Sequence, residues 1–269
     1  MSDLLINFLF QLFFYVILII LVGFIIGLLN RLFYSLLFNN RVVCYMTGLI
    51  GTPIHELSHA LMCILFMHKI EEMRLYRISN DGVLGYVDHT YNKKNLYAAS
   101  GNYLIGVAPI IVGVVIIYLL TIFLFNDMGI AMNNEVNNFV SSPISFMGFY
   151  TLIKNTIANL FNSFAFSWQA LLYIFIVFCL ALHMNLSNAD IKCALLGLPF
   201  LVIILALVNV LLYFVLYNWY EPFLNVMFLG GSYLIVTLSI SLVFSLVLVL
   251  FAALIRLIIE ILRPRKNNS

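Results

Sequence analysis

The chain has 269 residues and a formal net charge of +2, with 64% hydrophobic and only 9% charged side chains. An ordinary soluble domain is about a quarter charged, so a mean hydropathy of +1.09 excludes a water-soluble globule and makes the lipid bilayer the main solvent. The positive charges are few and sit in short runs at segment ends, which excludes a nucleic-acid partner.

A spanning helix needs about 20 apolar residues, because roughly 30 Å of hydrocarbon is crossed at about 1.5 Å per residue. Leu4–Leu29 qualifies, with Asn7 and Gln11 as its polar interruptions. It runs into Asn30-Arg31 with no small-residue cleavage site and reads as an uncleaved first span. Val42–Phe66 is the second, interrupted by Thr52, Pro53, His55, Glu56, Ser58 and His59. Lys69–Ser100 follows as the most polar stretch. Within it Met73–Ile78 and Val83–Val87 flank Ser79-Asn80-Asp81-Gly82, which predicts a β-hairpin. Tyr103–Phe125 is a third span and Asn126–Ser142 a loop. Ile144–Phe164 carries Phe146, Phe149, Ile153, Ile157, Leu160 and Phe161 at helical spacing opposite Thr151, Lys154, Asn155, Asn159 and Asn162. That pattern predicts an amphipathic helix lying in the interface. Trp168–Leu182, Leu195–Tyr217 and Phe228–Ile255 complete a set of six. The expected fold is an all-α polytopic membrane protein of about six transmembrane helices. A small β-hairpin follows the second span, and there is one interfacial helix.

Three regions follow from this reading: residues 1–41 as first span and loop, 42–198 as a core, and 199–269 as C-terminal spans with a basic tail. Lysine and arginine mark the cytoplasmic side. Arg263-Pro264-Arg265-Lys266 places the C-terminus there. Counting back puts the Glu221 and Asn126–Ser142 loops outside and the N-terminus inside, in the plasma membrane; Arg31 and Arg41 flank a loop on the other side. The four cysteines, Cys44, Cys63, Cys179 and Cys193, show no CxxC and read as buried packing without a disulfide framework.

The second span holds His55-Glu56-Leu57-Ser58-His59, an HExxH motif. Residues four apart on a helix lie about 40° apart around its axis, so both imidazoles face one way and can grip one Zn²⁺. Glu56 then reaches the metal's water from the side as general base. Three polar residues buried only for packing are an expensive alternative, since a charge near the bilayer centre costs about 2.5–3.5 kcal/mol. A catalytic zinc site normally has three protein ligands. His68 lies nine residues beyond His59 and reads as an interface residue, while Asp88 and His89 read as solvated. That leaves Asp190 as first choice and His183 as second. Ser187 with Asp190 three residues on is also a helix start in its own right, and His183 is chemically the better zinc donor.

With HExxH in a membrane helix, a β segment next, then a further span and a helix bearing Asp190, the chain resembles a site-2-protease-like intramembrane zinc metalloprotease. The resemblance covers roughly Val42 to Leu198. It implies His55 and His59 as zinc ligands, Glu56 as general base and Asp190 as the aspartate ligand. It also offers Asn102 for substrate positioning. The family's aspartate is commonly followed by glycine, whereas here the sequence is Ala189-Asp190-Ile191. The expected activity is hydrolysis of a membrane-embedded or membrane-adjacent protein or peptide, with Zn²⁺ as cofactor and the lipid bilayer as surroundings. The rival readings are a non-catalytic scaffold or immunity-type protein with a structural metal, and a metal transporter.

Overall fold

A computed structural model describes residues 2–78, 83–163 and 167–262. The turn Ser79–Gly82, Phe164 and the tail Arg263–Lys266 lie outside the described residues. Among those described, the chain forms eight helices and one two-stranded antiparallel hairpin. Helix α1 runs over Asp3–Leu36, α2 over Arg41–Leu65, α3 over Leu96–Leu124, α4 over Asn126–Val140 and α5 over Phe146–Ser163. Then come α6 (Trp168–His183), α7 (Asn188–Phe214) and α8 (Tyr217–Leu262), with strands β1 (Lys69–Arg74) and β2 (Tyr86–Thr90) between α2 and α3. The four helices α1, α3, α7 and α8 are long and apolar enough to cross a bilayer, which makes this a multi-pass membrane protein.

The expected six spans are therefore four long apolar helices and two weaker ones. Helix α6 has 16 residues, about 24 Å at 1.5 Å per residue, shorter than the hydrocarbon layer. Helix α2 is long enough at 25 residues but is diluted by its polar motif. The stretch Asn126–Ser142, expected as a loop, is the helix α4. Its Met128, Met132, Val136 and Phe139 form a buried stripe beneath an asparagine-rich surface. The expected Glu221 loop is absent as well: a break at Val215-Leu216 leads directly into α8, which already contains Glu221.

Helix α5 falls where the amphipathic pattern placed it, and Phe149, Ile153 and Leu160 of the expected apolar face pack into the core, but the inward face is rotated toward Leu152 and Thr156. Leu152, Thr156 and Leu160 are buried, while Phe146 and Phe161 are exposed. Asn155, on the supposed solvent face, donates to Glu135 of α4 at 2.9 Å. The hairpin also forms, displaced outward from its turn. Met73 pairs with Val87, and the ladder runs from Lys69↔Thr90 to Arg74↔Tyr86.

The core centres on α3, which is buried along most of its length and meets α7 at very short range. A Cβ on Gly197 would collide with the Tyr103 amide, and one on Gly106 with the Asp190 carbonyl. Small residues here let the two backbones approach, the usual device of helix packing in lipid. Several polar side chains inside the bundle are paired, as a lipid solvent favours. Gln11 of α1 and Asn209 of α7, both buried, exchange amide hydrogen bonds of 3.1 and 2.8 Å. Asn30 donates to the carbonyls of Ala181 and Leu182 at the end of α6. Helix α1 also contains a π turn at Phe13–Ile17. Tyr103 hydroxyl donates to the carbonyl of Tyr15 inside that turn.

Candidate metal centre

The site is built on α2. Asn40 caps its start by accepting from the Val42 amide at 2.9 Å. Gly48 and Gly51 thin its flank, and a Cβ on Gly51 would lie 2.7 Å from the His183 Cβ, so α6 crosses there in near contact. Pro53 sits within the helix. The turn after it carries His55, Glu56 and His59, and their spacing puts both rings on the face toward α7.

Each ring is held from behind. His55 Nδ1 is 2.7 Å from the carbonyl of His183, and His59 Nδ1 is 2.8 Å from the carbonyl of Ile105. A carbonyl can only accept, so both Nδ1 atoms carry the hydrogen and a neutral ring then offers its lone pair at Nε2. The two Nε2 atoms stand 3.1 Å apart. Asp190 completes the group, with Oδ1 at 3.2 Å from His59 Nε2 and Oδ2 at 3.6 Å from His55 Nε2. Three lone-pair donors thus converge on one point, an arrangement that a cation relieves. The separations match it: two ligands about 2.1 Å from a tetrahedral zinc lie about 3.4 Å from each other. Carbonyls placed behind the rings in this way fix metal-binding imidazoles in their tautomer.

Asp190 serves the helix start and the cluster together. Ser187 Oγ accepts from the Asp190 amide at 3.1 Å, and the Ser187 amide donates back to Asp190 Oδ2 at 2.7 Å, a complete capping box for α7. The carboxylate is therefore oriented by its own helix, with Oδ1 left for His59. The ring of His183 is not in the cluster. Its Nε2 lies 3.2 Å from the Thr47 hydroxyl and its Nδ1 3.4 Å from that of Thr52. It contributes its backbone carbonyl instead.

Glu56 stands beside the cluster on the same turn. It lines a cavity of about 380 Å³ together with His55, His59, Gly85 and Asp190. Gly85, just before β2, lies against it, and a Cβ there would come within 2.8 Å of the Glu56 Cγ. The hairpin thus roofs the motif. Asn102 does not line this cavity among the described residues. It is buried between α3 and α7, where its amide donates to the Ala99 carbonyl and Cys193 thiol approaches its Oδ1 at 3.5 Å.

No protein-family model, curated protein or solved structure matches this chain. The chemistry of the site stands on its own geometry.

Two residues expected to be bland are not. His68 is buried rather than interfacial, and His89 is half-buried rather than solvated. Their Nδ1 atoms face each other at 3.0 Å, and Cys63 Sγ completes a second group whose donor atoms all lie within 4.8 Å of one another. Burial, then the nearby rings of His68 and His59, push the pKa of His89 below its usual value. All four cysteines are free thiols. The backbone partners His183 and Ile105 leave no trace in a reading by residue type, because any residue has a carbonyl. Gly106, in contrast, was visible as a glycine inside an apolar span.

Proposed function

We propose that this protein is a membrane-embedded zinc metalloendopeptidase of the site-2-protease-like kind. One observation carries the reading. Two imidazoles, each with Nδ1 committed to a backbone carbonyl, aim Nε2 at each other and at a buried carboxylate, beside a cavity that Glu56 also lines. His55, His59 and Asp190 would hold the ion. When bound, Zn²⁺ supplies Lewis acidity toward a peptide carbonyl and makes water a stronger acid at neutral pH.

The chain's own groups do the rest. Glu56 accepts the proton of the attacking water on its carboxylate and returns it to the leaving amine nitrogen. His183 and Ile105, through their carbonyls, fix both rings in the orientation that presents Nε2. A helical substrate hides its peptide bonds in internal hydrogen bonds, so it must unwind before hydrolysis. Among the described residues β2 has one edge unpaired in its two-stranded sheet, and the cavity is lined by Tyr86, Val87 and Asp88 of that strand. An extended segment added along β2 would lie beside Glu56.

The test is a matched set of variants purified in detergent, with zinc content and cleavage of an unfolded model protein measured for each. Glu56→Gln keeps size and polarity but not the basicity, so it should retain zinc and lose cleavage by at least about 100-fold. Asp190→Ala should lose zinc, and His183→Ala, whose carbonyl remains, should keep most of it. Full cleavage by Glu56→Gln would leave a scaffold with a structural metal as the better reading.

A further inference from the structure

Beyond the HExxH centre, we propose that Cys63, His68 and His89 form a second metal site, selective for a borderline-soft divalent cation such as Zn²⁺, that pins the hairpin to the end of α2. The proposal does not depend on proteolysis.

The three ligands come from three pieces of chain, and each is placed by its own local structure. Cys63 is on α2, four residues after His59 and on the same face, about 6 Å further along the axis. It is fully buried. The chain then reverses. The His68 amide donates to the Cys63 carbonyl at 2.8 Å across the helix end, and Met67 takes a left-handed conformation with φ of 58°. This is the closure that usually employs glycine at that position. Here a bulky residue adopts it, at a cost of order 1 kcal/mol, and the result is that the His68 ring folds back over Cys63. His89 arrives from β2, where it pairs with Ile70 at the start of β1.

Hydrogen bonding settles the orientation of His68. Its Nε2 lies 2.8 Å from the carbonyl of Ala98, in the first turn of α3. That carbonyl can only accept, so in the neutral ring Nδ1 is a bare lone pair, and it faces His89 Nδ1. Tyr91 stacks on the His68 ring, with centroids 4.5 Å apart and planes 20° apart, and fixes its plane. The 3.0 Å between the two nitrogens is close to the roughly 3.4 Å edge of a tetrahedral zinc site, and a zinc–sulfur bond of about 2.3 Å reaches the thiolate. A thiolate with two imidazoles favours zinc over the hard cations calcium and magnesium, which take oxygen ligands. With no metal, the same pair is a simple imidazole hydrogen bond beside an inert thiol.

The two clusters share one cavity wall, since His89 lines the space that holds Glu56. About 6 Å of helix between their ligands exceeds the roughly 4 Å of a bridged two-metal centre, so they are separate sites. Occupancy of the second would fasten β2, and with it Gly85, over the motif.

Cobalt reports on this directly, because a thiolate ligand gives Co²⁺ a near-ultraviolet charge-transfer band that histidine and carboxylate ligands lack. Co²⁺ is added to the full chain in detergent carrying His55→Ala, His59→Ala and Asp190→Ala, which removes the first site. About one Co²⁺ per chain should bind with the thiolate band. Adding Cys63→Ser should abolish the band, His89→Ala should weaken binding at least tenfold, and Cys193→Ser should change neither. Lack of the band in the parent, or its survival in Cys63→Ser, overturns the proposal. Folding is checked separately: Cys63→Ser in the otherwise native chain should still bind one Zn²⁺ at the first site.

Discussion

Replacing Gly106 by alanine should disable the HExxH centre without touching any of its ligands. The new Cβ would collide with the Asp190 carbonyl and stand 2.5 Å from the Ala194 amide nitrogen, where ordinary contact begins at 3.4 Å. Both obstacles are backbone of α7, so no side chain can swing aside, and the helices must part by about 0.9 Å, the difference between those two distances. If that shift reaches the carboxylate, the His59 Nε2–Asp190 Oδ1 separation of 3.2 Å opens beyond 4 Å. One zinc spans only about 3.4 Å between ligands. Overpacking of this kind costs about 1–3 kcal/mol, which corresponds to zinc affinity roughly 5- to 150-fold weaker. The assay is competition for Zn²⁺ against a chromophoric chelator in detergent. Gly113→Ala is the control, because its Cβ would meet the flexible Met184 side chain at 2.6 Å, and its zinc affinity should stay within about threefold. A folded Gly106→Ala protein that binds zinc as tightly as that control would refute the argument that helix spacing sets ligand spacing.

Two other predictions concern the scaffold. Gln11→Leu and Asn209→Leu should each destabilise the protein in detergent by about 1–3 kcal/mol, because each strands the partner's buried amide. The double variant should recover much of the loss, and strictly additive losses would show that the pair is not coupled. The hairpin should be acid-sensitive. The Tyr86 hydroxyl, then Arg74, lowers the pKa of Glu72, and Lys69 with Thr90 lowers that of Glu71. A depressed carboxylate pKa stabilises above the unfolded value near 4.5 and is lost as pH falls through the folded value. Amide-exchange protection of β1 and β2 should therefore drop below about pH 4.5, and Glu72→Gln with Glu71→Gln should remove that drop.

The HExxH turn was legible because its information is local: four-residue spacing on a helix is enough to aim two rings together. Asp190 was legible for a second reason, since a carboxylate three residues after Ser187 is oriented by its own helix start whatever else it touches. Asn102 had only the resemblance behind it, and it packs between α3 and α7. The Cys63 group could not be read, because it depends on a left-handed Met67 and on the strand register that brings His89 beside Ile70. Neither leaves a periodic trace. Helix α4 was hidden for the opposite reason: its asparagines mimic a loop, and only the four-residue rhythm of Met128, Met132 and Val136 betrays it. The inward face of α5 is rotated from the expected one because an interfacial helix can be gripped by a neighbouring helix as well as by lipid.

The π turn at Phe13–Ile17 sets the rotational phase of the whole first helix. From Gln11 to Asn30 an uninterrupted α-helix would rotate about 1,900°, leaving the two side chains about 100° apart. A π turn widens one set of hydrogen bonds by a residue, which absorbs that surplus and brings both polar groups to the bundle side. There they meet different partners, Asn209 on α7 and the end of α6. Winding the segment as ordinary α-helix with its length unchanged would turn everything before it by about 100°, and Gln11 would then face lipid. Deleting one residue there leaves 18 residue steps from Gln11 to Asn30, about five full turns, and would keep Gln11 on the bundle side. The widened turn is thus a gear between the two ends of α1, and one that a helical-wheel plot drawn across it misreads.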